Sequence, residues 1–282
     1  MIKVLKAGIL TTIQDQGRFG FAAFGVPVSG VMDNKAANLA NSILNNKLEE
    51  ALIEITFGYA EFQFLISTEI AICGADFTPE LNHVKIPLNT KIYIQKNDVI
   101  SFGKTKYGVR AYLAVKSGIK SEKVLKSRSF YKNITSKYQL RKGDIIPIKT
   151  FSSINTNTFT SVKINLDYIK KEKLTCFKGP EFDLLSEQNK QLICKQKFTI
   201  SKENSRMGYR LNEPLNNTIP QILTSAVLPG TVQLTPSGVL IILMKDCQVT
   251  GGYPRVLQLS EQAICSLAQK STNDIIQFNL IN

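Results

Sequence analysis

Polar and apolar residues alternate along much of this chain, and the alternation predicts short strands. Residues 53–57, 61–66, 91–94, 109–115 and 232–234 all follow it. A period of two sends successive side chains to opposite faces of a sheet, so each run predicts a strand with one buried face. Gly, Pro or Asn-Asp pairs bound the runs, as turns between strands require. Helical periodicity is scarce. It is clearest over 33–45, where Ala36, Leu39, Ala40, Ile43 and Leu44 share one face behind Asp33 as N-cap. Two further helices are predicted over 181–192, with Pro180 near the first turn, and over 261–268, with Ser260 as N-cap. The class is mainly β with a few short helices.

The chain reads as two halves, 1–150 and 151–282, joined by the polar, turn-rich stretch 150–158. Internal echoes support related halves. Asn97-Asp98-Val99-Ile100-Ser101-Phe102 resembles Asn273-Asp274-Ile275-Ile276-Gln277-Phe278, Arg18-Phe19-Gly20-Phe21 resembles Arg206-Met207-Gly208-Tyr209, and Gly58 corresponds to Gly230. The three pairs keep the same order at similar offsets. The signal is a turn followed by a strand, and Gly143-Asp144-Ile145-Ile146 carries it too.

Composition fits a packed globular chain: 282 residues, 43% of them hydrophobic and 20% charged. No stretch approaches the roughly 18 continuous apolar residues that cross a bilayer. The N-terminus has no apolar leader, so a cytoplasmic protein without a membrane partner is expected. Five widely spaced cysteines, with no C-x-x-C pair, argue against a disulfide framework and against a zinc site. The formal charge of +13 comes mostly from lysines spread along the chain. That distribution reads as a solvated surface, with no nucleic-acid partner. The seven arginines behave differently, because Arg18, Arg128, Arg206, Arg210 and Arg255 stand beside Gly, Ser or Tyr in loop-like motifs. Two uses stay open for them. A planar guanidinium binds carboxylate or phosphate bidentately, and it also ties loops through carbonyls.

Several chemistries are excluded. The single histidine, His83, allows no two-histidine metal site, and no G-x-S-x-G, P-loop or G-x-G-x-x-G occurs. Acid–base work would fall to Asp, Glu, Tyr, Lys or Cys. Four clusters gather Gly, Arg, Asp and hydroxyl residues: 11–20, 25–33, 204–210 and 246–255. Smaller ones are Cys73-Gly74-Ala75-Asp76 and Ser127-Arg128-Ser129. The second large cluster runs straight into the first helix, whose N-terminal amides suit an anion.

Taken in order, these clusters with Leu228-Pro229-Gly230-Thr231-Val232-Gln233 resemble the carboxyltransferase-like family over nearly the whole chain. That family includes the C-type subunit of 5-oxoprolinase, the second subunit of allophanate hydrolase and the KipI antagonist. The resemblance implies a pair of cyclophilin-like β-barrel subdomains. It also implies a small-molecule substrate and a component of an ATP-dependent 5-oxoprolinase, converting 5-oxoproline to glutamate. Such a component acts with a B-type 5-oxoprolinase subunit, together with a lactam-opening A-type one, and is inactive alone. ATP and Mg²⁺ then serve the complex, and no bound metal or prosthetic group is expected in this chain by itself. On that reading Arg206, Arg210, Asp15 and Tyr253 are candidate catalytic residues. Arg18, Ser29, Gly30, Asp33, Arg128, Thr250, Gly251, Gly252 and Arg255 are substrate-binding candidates, and Asp33, Asp76 and Asp246 are candidates for Mg²⁺. The alternatives are one half of a biotin-dependent carboxyltransferase of the urea carboxylase type, or a non-enzymatic antagonist that binds a kinase inhibitor. This chain departs from the family where it has Val249 for a frequent Thr, Ser205 for Asp, and Gln221 near an expected acid.

Overall fold

The computed structural model describes residues 1–149 and 166–281. The predicted linker at 150–158 and the cut at 150/151 lie outside the described residues. The chain forms two compact units, one of Met1–Arg18 with Ser29–Leu166 and one of Phe19–Val28 with Asp167–Asn282. Residues 19–28 therefore group with the C-terminal half, which a two-part division of the sequence does not anticipate.

The first unit is built from two antiparallel sheets. One orders its strands Ile145–Ile146, Ile2–Ala7, Ala60–Phe64, Val99–Ser101, Glu80–Leu81 and Val84–Lys85. The other orders Leu10–Gln14, Leu52–Thr56, Tyr107–Val115, Thr68–Asp76 and Lys91–Ile94. Alternate residues of both face one core, where Val4, Phe62, Phe64 and Ile100 meet Ile53, Ile55, Ile72 and Leu113. The opposite face of the second sheet packs Ala71, Cys73, Tyr112 and Ala114 against helix Asn34–Ile43 through Ala36, Ala37 and Ala40. Small residues let that helix lie close to the sheet. Asp33 caps it as predicted, its carboxylate accepting from the Ala36 amide at 3.1 Å.

The second unit contains a closed barrel of seven strands: Lys173–Lys178, Arg255–Leu259, Thr231–Leu234, Leu240–Leu243, Gly208–Leu211, Phe198–Asn204 and Ile275–Leu280. Closure leaves no unpaired edge. Leu174, Ile200, Tyr209, Val232, Leu240, Ile242, Leu257 and Phe278 are buried within this unit. The helix predicted over 181–192 is corrected to a 3₁₀ turn, Phe182–Leu184, and a helix, Glu187–Lys195. Leu185 is extended (φ −65°, ψ 142°), and Ser186 restarts the helix by accepting from the Asn189 amide. The third predicted helix is found at Glu261–Leu267, capped by Ser260. A fourth short helix, Asp167–Lys170, is too brief to leave a periodic pattern.

The echoing turns share one design. In each, an aspartate accepts from the amide three residues earlier: Asp98 from Gln95, Asp274 from Ser271, Asp144 from Arg141. The preceding residue is left-handed, with φ 75° at Asn97, 70° at Asn273 and 91° at Gly143. Asn tolerates that region better than other non-glycine residues because its short polar side chain bonds locally. Each turn then exchanges paired backbone bonds with one neighbouring residue: Phe64, Ile200 and Val4 respectively. The Arg18 and Arg206 echo is different in kind, since Gly20 has φ 88° while Gly208 belongs to a strand.

Candidate functional site

Strand register in the barrel lines up four residues from four strands. Arg210 pairs with Ile241, Ile241 with Gln233, and Gln233 with Arg255. Cross-strand partners point to the same side of a sheet. Val232, Leu234, Leu240 and Ile242 alternate with this row and are buried, so the row belongs to the opposite, outer face of the barrel. An open groove of about 520 Å³ lies there, lined by Arg210, Gln233, Ile241, Tyr253, Gln248 and Glu203, with Asn204, Ser205, Met207, Gly208 and Leu243. That volume suits a small molecule.

The groove's polar groups are held differently from one another. Arg210 is half-exposed and meets Glu203 at 3.1 Å, which positions a guanidinium that water still reaches. Gln233 is 1% exposed. Its Oε1 accepts from Gln248 Nε2 at 3.4 Å, whereas its own Nε2 has no hydrogen-bond partner. A Cβ on Gly251 would lie 2.5 Å from that nitrogen, so a glycine there is what leaves room for the amide. Gly251 is carried by a two-residue ribbon, Thr250–Gly251 paired with Ser225–Ala226. Ser205 accepts from the Met207 amide, shaping the turn that brings residues 205–208 to the groove's rim.

Two other arginines of this unit are engaged in bidentate ion pairs. Arg206 donates through Nε and Nη2 to Asp246 at 2.8 and 2.9 Å, and it is 8% exposed. Arg255 donates through Nε and Nη2 to Glu181 at 3.0 and 2.8 Å, and through Nη1 to the Ala226 carbonyl. The hydrogen bonds from Arg255 hold the Glu181 carboxyl below the usual carboxylate range, and those same bonds raise the guanidinium's pKa. Beside Asp246, burial first and that carboxylate second push the Cys247 thiol up to about 12.

In the first unit the candidates form a buried knot. Asp15 accepts from the Ser127 hydroxyl at 2.6 Å and the Ser129 hydroxyl at 2.7 Å, and from the amides of Arg128 and Gly17. Arg18 donates to the Ser129 and Val124 carbonyls, and the Arg128 guanidinium donates to the Ser121 carbonyl. Ser29 is left-handed (φ 56°) and buried. A Cβ on Gly30 would sit 2.9 Å from the backbone of Gln16 and Gly17, so the 25–33 loop presses on the 11–20 loop. Asp33, Tyr112, Glu54 and Arg110 are all buried near the helix start. The Tyr112 hydroxyl accepts from the Asp33 amide, Glu54 accepts from the Met32 amide, and Arg110 faces Glu54 at 3.9 Å. Burial, then the Glu54 and Asp33 charges, raises the Tyr112 hydroxyl well above its ordinary value.

The three Mg²⁺ candidates sit in separate settings. Asp33 caps a helix, Asp76 accepts from the Thr78 amide with Lys106 at 3.9 Å, and Asp246 holds Arg206. Among the described residues no three His, Cys, Asp or Glu side chains converge to hold a metal ion. No described helix is long and apolar enough to cross a membrane.

The groove thus gathers Arg210 and Tyr253 from the sequence-derived candidates. Thr250, Gly251 and Gly252 form its neighbouring ribbon and turn, and Arg206 and Arg255 are committed to carboxylates. Gln233 and Gln248 fall inside the stretches 228–233 and 246–255 without being site candidates by residue type, and Glu203 carries no chemical signal in the sequence. Gln233 ends the 228–233 stretch that carries part of the resemblance, and by residue type it is the polar member of the Thr231-Val232-Gln233-Leu234 alternation.

The family model described as carboxyltransferase domain, subdomain A and B, matches residues 24–280. The chain is 29% identical over 284 residues to the 5-oxoprolinase C subunit of Escherichia coli, covering 99% of this chain and 90% of that one. It is 27% identical to the 5-oxoprolinase C subunit of Haemophilus influenzae, covering all of this chain and 92% of that protein. Its fold is similar to that of part of the Kluyveromyces lactis urea amidolyase, with a TM-score of 0.86 at 24% identity over the full chain. There it spans only 19% of the larger protein.

Proposed function

This chain belongs to the family of the carboxyltransferase domain, subdomains A and B, and from that premise we propose that it is the C-type subunit of an ATP-dependent 5-oxoprolinase. It works with a B-type partner and a lactam-opening A-type partner. The observation that carries this reading is likeness from end to end to two 5-oxoprolinase C subunits of almost the same length.

The groove suits the substrate's chemistry. A lactam is resonance-stabilised and a poor electrophile, and transfer of a phosphoryl group from ATP to its oxygen makes the ring carbon open to attack. What this chain supplies is binding and orientation. Arg210 pairs with a carboxylate, Ile241 and Leu243 give an apolar floor, and Tyr253 forms a wall. Asp33, Asp76 and Asp246 are each engaged within their own unit, as a helix cap, a turn acceptor and an ion-pair partner, so no step is routed through a metal held by this chain. The test is co-expression with the A-type and B-type partners, followed by glutamate release from 5-oxoproline with and without ATP. We expect turnover only with all partners and ATP. Arg210→Ala should lower it about tenfold or more with folding intact, the loss of one charged hydrogen bond. Full turnover without this chain, or with Arg210→Ala, refutes the reading.

A second reading rests on a 130-residue stretch that is 38% identical to the urea amidolyase of Lachancea kluyveri, 7% of that protein. It makes the chain part of a biotin-dependent carboxyltransferase. Capture of a biotinylated partner in place of a lactam-opening one would favour it.

A further inference from the structure

Among the described side chains that line the groove, the amide of Gln233 is left incomplete by the protein's own packing. An outward-facing barrel residue is expected to be exposed and polar or to be covered and apolar. Gln233 is covered and polar. Gln248 approaches its oxygen at 3.4 Å, its nitrogen fills the place that a Gly251 Cβ would take, and Nε2 finds no acceptor. A donor taken out of water without a partner destabilises a fold, and an apolar residue of the same shape would not. The missing partner has a defined chemistry: an acceptor oxygen arriving from the groove. The last torsion of a glutamine is soft, so the amide can turn toward such an oxygen without moving its strand. Arg210 lies two strands away in the same row, joined through Ile241, and offers a guanidinium to an anion at the groove's open side.

We propose that Gln233 is a substrate-reading residue: its Nε2 donates to the carbonyl oxygen of a small planar amide, while Arg210 pairs with a carboxylate on the same ligand. The ligand class is a cyclic amide acid, with both groups on one ring. This rests on the functional reading above and adds to it the residue that tells a lactam from an amino acid. Saturated analogues lack the acceptor and leave Gln233 unpaired, which is how a buried polar group rejects a close relative.

The test titrates the full-length chain by ligand-detected NMR with three probes. These are 5-oxo-L-proline (amide and carboxylate), 2-pyrrolidone (amide alone) and L-proline (a carboxylate with a ring ammonium in place of the amide). 5-Oxo-L-proline should bind at least about tenfold more tightly than either fragment, because each fragment lacks one hydrogen-bonding group. Gln233→Met should weaken 5-oxo-L-proline and 2-pyrrolidone by about tenfold and leave L-proline unchanged. The same variant should melt at a higher temperature than the wild type when ligand-free, since it removes an unpaired buried donor. Gly251→Ala, which crowds the amide without deleting it, should weaken the same two probes. Wild-type protein that takes none of the probes overturns the inference, as does a Met variant that binds 5-oxo-L-proline as tightly as wild type. Turnover in the reconstituted assembly that survives Gln233→Met defeats this inference alone. Gln233-dependent lactam binding in an assembly without turnover defeats the functional reading alone.

Discussion

Replacing Asp246 by Asn should unfold the second unit's rim before it tests any chemistry. Arg206 and Asp246 meet through two short bonds, 2.8 and 2.9 Å, with side chains 8% and 14% exposed. Their backbones are tied as well, the Asp246 amide donating to the Arg206 carbonyl at 2.8 Å. At an effective permittivity of about 20, charges about 4 Å apart attract by about 4 kcal/mol. Removing one partner also strands the other charge, and such losses run to about 3–5 kcal/mol in buried pairs. The partial exposure of Asp246 lets water soften this, so about 3 kcal/mol is expected for Asp246→Asn. At roughly 2–4 °C per kcal/mol, the melting temperature should fall by about 6–12 °C. Arg206→Met with Asp246→Leu removes both charges and should recover most of the loss. Urea denaturation of wild type, Arg206→Met, Asp246→Leu and the double variant closes the cycle, with a coupling of about 2 kcal/mol expected. If Asp246→Asn stays within about 1 kcal/mol of wild type while turnover disappears, the pair serves the ligand and the electrostatic account fails.

Three further outcomes follow from the geometry. Glu181 is held below its ordinary pKa by Arg255, so its contribution is present above the unfolded value of about 4.3 and is lost as pH falls through the lower folded value. Glu181→Gln should therefore cost about 2 kcal/mol at pH 7 and progressively less in acid, read by urea melts across pH. Gly238→Ala should cost more than about 2 kcal/mol, since φ is 83° and the new Cβ would meet the Leu215 carbonyl at 1.9 Å. Gly143→Ala, with φ 91° but open space, should cost about 1 kcal/mol, and equal losses at the two sites would refute the steric argument. Cys247 and Cys176, both pushed up to about 12 by burial first, carry roughly one part in ten thousand of thiolate at pH 8. Iodoacetamide with peptide mass mapping should mark the less buried Cys194 first.

Local information suffices for the elements because their causes are local. The strand at Lys91–Ile94 and the caps at Asp33 and Ser260 depend on neighbours a few residues away. The helix over 181–192 fails for a local reason of its own: an apolar pattern can continue through Leu185 while Ser186, a strong N-cap, breaks the backbone there. The site is another matter. The scarce arginines stand out by type, yet only the fold says which of them is committed. Arg206 finds Asp246 forty residues on and Arg255 finds Glu181 seventy-four residues back, whereas Arg210 keeps an exposed head.

Gln233 shows the same limit most sharply. In sequence it closes the 228–233 stretch that carries part of the resemblance, yet nothing marks its amide for a ligand, for it has no partner at helical or turn spacing. Its meaning arises from strand register, which aligns it with Ile241 and Arg255, and from a cover brought by residues 248–251. Register is set by pairings between distant segments, and a slip of one residue would turn Gln233 into the barrel and Val232 out of it. The residues that mark a turn, Gly251 and Gly252, are legible for their backbone freedom. The use made of that freedom at Gly251, room for one unpaired amide, exists only once the barrel has closed beneath it.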